Sequence, residues 1–186
     1  MIEINNLTTA VVDEDFLKKV AEIVLEGEKT KEVELSIALV GQGRIRELNK
    51  RYRGKNRATD VLSFLYDGSG DIVICLGEVK KNAKRFGTTF KKELARVLIH
   101  GVLHLLGYDH EKKEIGAKEV EETKSSSSPT ELPKEAKVRK RMKSSFDFAA
   151  ARVGDEDKSS SSPFAAARVM EEKQQYYLKI CQGVMS

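Results

Sequence analysis

The residues of this chain best suited to chemistry crowd into one stretch, His100-Gly101-Val102-Leu103-His104-Leu105-Leu106-Gly107-Tyr108-Asp109-His110, which holds all 3 histidines. Residues four apart share a helix face, so His100 and His104 can turn toward one ion. Gly107 can take the left-handed conformation that ends a helix, letting the chain bring His110 back to the same point. Three imidazoles with a fourth position open describe a catalytic zinc site, since closed structural sites use four protein ligands. Nickel, copper and iron also accept imidazole, so the ligand set alone does not select the metal. A zinc peptidase carries glutamate directly after the first histidine as its general base. Here that position is Gly101, which cannot take a proton.

The elements that must position these histidines are legible from periodicity. Ile2-Glu3-Ile4 begins a short strand, and Asp13 caps a helix with Phe16, Leu17, Val20, Ile23 and Val24 on one face, closed by Gly27. The run 33–40 alternates and then becomes wholly apolar, as a strand with one well-buried face does. Gly41-Gln42-Gly43 reads as a turn, followed by a short helix with Ile45, Leu48 and Tyr52 inward. Two further β-rich runs, 60–65 and 71–76, are joined closely enough to pair antiparallel. A helix over 77–85 and a second one capped by Thr89, anchored by Leu94, Val97, Leu98, Val102, Leu105 and Leu106, complete the pattern. The expected architecture is α+β: a small mixed sheet of about four strands packed by helices, the metal-binding helix ending in a glycine turn.

Composition adds the partner class. The chain has 186 residues and a formal net charge of +4, which permits anionic partners without demanding them. The distribution is more telling: Arg44, Arg46, Lys50, Arg51, Arg53, Lys55 and Arg57 face a single acid, Glu47, and a second basic stretch runs from Lys80 to Lys92. Such clusters around a metal motif point to a polyanion, with Arg51, Lys55 and Arg57 as candidate substrate contacts. Cys75 and Cys181 lie in no ligand spacing and fit a reducing compartment. The N-terminus shows no signal peptide, and the most apolar run, 97–106, is too short to span a bilayer. The expectation is a cytoplasmic protein with no membrane partner.

After His110 the composition changes. Residues 1–122 read as the metal-binding domain. Residues 123–168, which carry Lys-Ser-Ser-Ser-Ser-Pro twice and Phe-Ala-Ala-Ala-Arg-Val at 148–153, with a second copy at 164–169 running over their end, read as a disordered linker or insertion. Residues 169–186 form an amphipathic helix that offers Tyr176, Tyr177 and Ile180 for docking.

The stretch Leu48-Asn49-Lys50-Arg51-Tyr52-Arg53-Gly54-Lys55-Asn56-Arg57-Ala58-Thr59-Asp60-Val61-Leu62-Ser63-Phe64 resembles the first signature of the YbeY family. Gly70-Asp71-Ile72-Val73-Ile74 resembles its second, and the three-histidine segment its third, in the family's order over roughly residues 1–120. The resemblance implies a metal-dependent endoribonuclease acting on single-stranded RNA, in 16S rRNA 3′-end maturation and ribosome quality control. It implies one metal held by His100, His104 and His110, and a functional arginine at Arg53. The chain departs from the family pattern after His110, where linker and repeats precede the last helix.

On these expectations Zn²⁺ activates a water and polarises a phosphoryl oxygen while Arg53 contacts the phosphate. The proton acceptor stays open among the activated water, a substrate 2′-hydroxyl, and Asp60, Asp71 or Asp109; Asp60 and Asp71 can equally cap turns. Ser63 lacks the context of a nucleophile and reads as a structural strand residue. Two rival functions remain: a non-catalytic, metal-stabilised ribosome assembly factor, and a metal-dependent hydrolase of another substrate.

Overall fold

Alternating side chains along four strands send one set to each face of a sheet, and each set meets its own helices. The computed structural model describes residues 1–30, 33–66, 69–108 and 163–185. Its strands are β1 (Ile2–Asn6), β2 (Glu34–Val40), β3 (Val61–Tyr66) and β4 (Ser69–Cys75), in the order β1-β2-β4-β3. β1 and β4 both run parallel to β2, while β3 lies antiparallel on β4, pairing Ser63 with Ile72. The sheet is mixed and the class α+β, as the periodicity predicts.

On the larger face, Leu35, Ile37, Leu39, Ile72 and Ile74 meet α1 (Glu14–Gly27) and α4 (Phe90–Leu105). On the other, Val40, Leu62, Val73 and Cys75 meet α2 (Gln42–Arg53) through Ile45 and Leu48. Helix α3 (Leu76–Arg85) follows β4 without a loop and packs beside α4. Burying each large aliphatic side chain of these cores contributes on the order of 1.5–3 kcal/mol.

Asp13 caps α1 as expected, its Oδ1 accepting from the Phe16 amide at 2.9 Å. The helix closes at Gly27, as expected, and the left-handed residue after it is Lys29, with φ 55°. Gly27 is small for a tertiary reason, because a Cβ there would run into the Tyr177 hydroxyl and ring. The expected turn at Gly41-Gln42-Gly43 is corrected: Gly41 is the N-cap, and Gln42 and Gly43 are already helical. With φ −84° and ψ 169°, Gly41 is simply extended, so the chain passes from strand to helix at one residue.

The last long helix, α5, spans Pro163–Ile180, starting six residues ahead of the expected 169, and a short α6 (Gln182–Met185) follows. The remaining residues of the predicted linker lie outside the described ones. Helix α5 packs on α4 through Met170, Tyr177 and Leu178, while Tyr176 and Ile180, expected to dock, are exposed. Three groups close on Glu28 at the end of α1: Lys173 Nζ at 2.6 Å and the hydroxyls of Tyr108 and Tyr177, both at 2.7 Å. Burial opposes the Glu28 charge, but the hydrogen bonds from Lys173, Tyr177 and Tyr108 outweigh it and hold the carboxyl below its usual range. Among the described residues, no helix is long and apolar enough to cross a membrane.

Candidate metal and RNA site

Helix α4 begins where Thr89 Oγ1 accepts from the Lys92 amide at 3.2 Å. From Glu93 to Leu105 it is buried almost all round, covered by the sheet, α1, α3 and α5. Sequence reading gives it one apolar face; Ala95, Ile99 and Leu103 are buried too, because four elements surround it. It ends at Gly107, whose φ of 90° is the left-handed conformation expected there.

The i, i+4 spacing brings His100 and His104 together. Their Nε2 atoms lie 3.2 Å apart, with ring planes at 86°. Two nitrogens about 2.05 Å from a tetrahedral zinc stand about 3.3 Å from each other, so this pair has the separation of one edge of such a site. Both imidazoles are partly buried. His110 and Asp109 lie outside the described residues, and among those described no group of three metal-ligating side chains occurs.

Gly101, beside His100, faces the sheet. A Cβ there would lie 3.1 Å from Ile72 Cγ2 and 3.2 Å from Ser63 Oγ, so a peptidase glutamate has no room at this position. Ser63 is structural, as expected: its hydroxyl donates to the Gly101 carbonyl at 3.1 Å.

Asp60 and Asp71 are both engaged by neighbours. Asp60 Oδ1 accepts from the Val61 amide at 3.0 Å, and Oδ2 from Asn82 Nδ2 at 3.2 Å, with Arg96 Nη2 at 3.9 Å. Asp71 projects to the α2 face, opposite the histidines; burial raises its pKa, partly offset by a hydrogen bond from Tyr66.

Arg53 is the last residue of α2 and exposed, as are Arg51, Lys55 and Arg57. Its helix packs on the sheet face opposite α4, so Arg53 is not packed with the histidines. The neighbouring Tyr52 ring lies 5.1 Å from Phe64 on β3, while Ser63 of the same strand holds α4 from behind. Helices α2 and α4 therefore lie on opposite faces of β3. Two groups escaped sequence reading. Asn49, buried, donates Nδ2 to the Arg57 carbonyl at 2.7 Å and fixes the basic loop to α2. Arg96, one turn before His100, is clamped by buried Glu93 through Nε at 2.9 Å and Nη2 at 2.6 Å. The i, i+4 relation of Arg96 to His100 was the available signal.

The family described as Endoribonuclease YbeY matches residues 3–128. The chain is 44% identical over 115 residues to Endoribonuclease YbeY of Sulfurihydrogenibium sp., covering 58% of this chain and 76% of that protein. It is 43% identical over 112 residues to the protein of the same name from Persephonella marina, covering 55% and 73%. A solution structure from Thermotoga maritima aligns at 30% identity and a TM-score of 0.45, covering 87% of this chain and 100% of that one.

Proposed function

The chain belongs to the YbeY endoribonuclease family, and from that membership we propose that it is a metal-dependent endoribonuclease of single-stranded RNA. Its cellular work in this reading is cytoplasmic: maturation of the 16S rRNA 3′ end and quality control on the small ribosomal subunit. The observation that carries the proposal is the His100–His104 Nε2 pair, 3.2 Å apart on the partly accessible stripe of an otherwise buried helix.

His100, His104 and His110 are the ligand set for one Zn²⁺. Bound there, the ion supplies a water acidified toward a pKa of about 7 and a Lewis acid for a phosphoryl oxygen. The chain's own part is to set the imidazoles on one helix face and to draw the polyanion in. Arg53 contacts a phosphate, and Arg51, Lys55 and Arg57 extend that cationic edge, so RNA crossing β3 meets the arginines on one side and the histidines on the other. Asp60 is engaged by Asn82 and Arg96, and Asp71 faces away, so neither is assigned the base. Peptide hydrolysis is disfavoured by the lack of space at Gly101.

The test is cleavage of a short single-stranded RNA by protein of measured metal content, with and without chelator, beside His104→Ala. Cleavage that requires both metal and His104 is the expected result. RNA binding without cleavage in every preparation overturns the proposal in favour of a non-catalytic assembly factor.

A further inference from the structure

Between Glu93 and Leu105, α4 shows solvent only Arg96, His100 and His104, one turn apart; every other residue of that span is buried. A substrate that reaches the imidazoles along this helix passes Arg96. That guanidinium is fixed by its two bonds to Glu93, and its Cζ lies 5.9 Å from the centre of the Phe86 ring. Phe86, in the turn after α3, is 59% exposed, an aromatic ring that the core hardly uses. Arg85 Cζ is 5.6 Å from the same ring and makes no ion pair among the described residues, and Lys84 beside it is exposed. A lone exposed phenylalanine needs no explanation. This one lies beside Arg96, one turn before His100 on α4, with the guanidinium groups of Arg85 and Arg96 over its ring.

We infer that Phe86 is a stacking platform for an unpaired nucleobase of the RNA, with Arg96 bracing the ring and Lys84 and Arg85 meeting the adjoining phosphates. The inference rests on the ribonuclease reading and adds a substrate subsite to it. Stacking on an aromatic ring is open to every base, because each has a π-face, but only when the base is not paired. The subsite therefore favours single strands over duplex without reading sequence. The two guanidinium groups over the ring and exposed Lys84 select a polyanion over an apolar peptide as the occupant.

The chain contains no tryptophan, so Phe86→Trp places its sole indole on the platform. Chelator-treated Trp variant is titrated with a short single-stranded RNA whose own 5′ label reports binding by anisotropy. Indole emission should fall severalfold with the single strand and stay unchanged with the matching duplex. In steady state, Phe86→Leu should raise KM roughly tenfold with kcat unchanged, the scale of one lost stacked base, while Phe86→Trp keeps the original KM. Emission that does not respond to an RNA shown by anisotropy to be bound overturns the platform and leaves the ribonuclease reading standing, as does an unchanged KM in Phe86→Leu. If the unmodified chain neither binds nor cleaves RNA, the ribonuclease reading fails and the subsite with it.

Discussion

The Ser63 hydroxyl donates to the Gly101 carbonyl across 3.1 Å, fastening the edge strand to the histidine helix at the turn that carries His100. With Ile72 Cγ2 3.1 Å from where a Gly101 side chain would begin, helix and sheet leave no space between them. Gly101→Ala should therefore destabilise the fold by about 1–3 kcal/mol, the usual scale of overpacking. Ser63→Ala should cost about 1 kcal/mol for one hydrogen bond. Thermal melting of the two variants checks both, and an unchanged midpoint in Gly101→Ala would show that α4 can shift away from the sheet.

Metal removal should lower stability without unfolding the chain. The α4 side chains Leu94, Leu98, Ile99 and Leu103 are fully packed by the protein itself, so the fold does not wait on an ion. A ligand at a hundredfold excess over its Kd adds about 2.7 kcal/mol. Chelator should lower the melting midpoint of the zinc-loaded chain and leave that of His104→Ala unmoved. An equal response in both would remove His104 from the ligand set.

The arginine edge should act through charge. Replacing Arg53 by alanine should weaken RNA binding and reduce the slope of log K against log salt by about 0.7, the value for one phosphate contact on a single strand. Salt titrations of binding measure this directly, and a slope equal to that of the original chain would take Arg53 off the RNA.

Glu28 should make docking of the last helix acid-sensitive. Its pKa is lower in the folded chain than in the unfolded one, because the bonds from Lys173, Tyr177 and Tyr108 outweigh the burial that opposes its charge. Stability from this group is then complete above the ordinary carboxylate value of about 4.3 and is lost as pH falls through the lower folded value. Glu28→Gln should lose about 1.5–3 kcal/mol at neutral pH, the scale for hydrogen bonds to a charged group, and lose this component of the acid response. Denaturant melts across pH 3–7, roughly bracketing that carboxylate value, test it. Parallel stability curves for the two chains would place the acid response elsewhere.

Local rules written in the sequence determined much of this protein. The i, i+4 spacing of His100 and His104, the caps at Asp13 and Thr89, the left-handed Gly107 and the antiparallel β3–β4 pairing all depend on neighbours a few residues away. Tertiary packing decided what those rules cannot carry. Gly27 is small because Tyr177, 150 positions later, closes on it. Tyr176 stays in water while Tyr177 is buried, since only one of two adjacent helix positions can face α4 and α1. The basic helix went to the far face of the sheet because alternation along β2 and β4 supplies two apolar surfaces, and the smaller one, around Ile45, took α2. That choice puts the sheet between the basic helix and α4, and it leaves Arg96, rather than any residue of the basic helix, as the cation beside the histidines on α4.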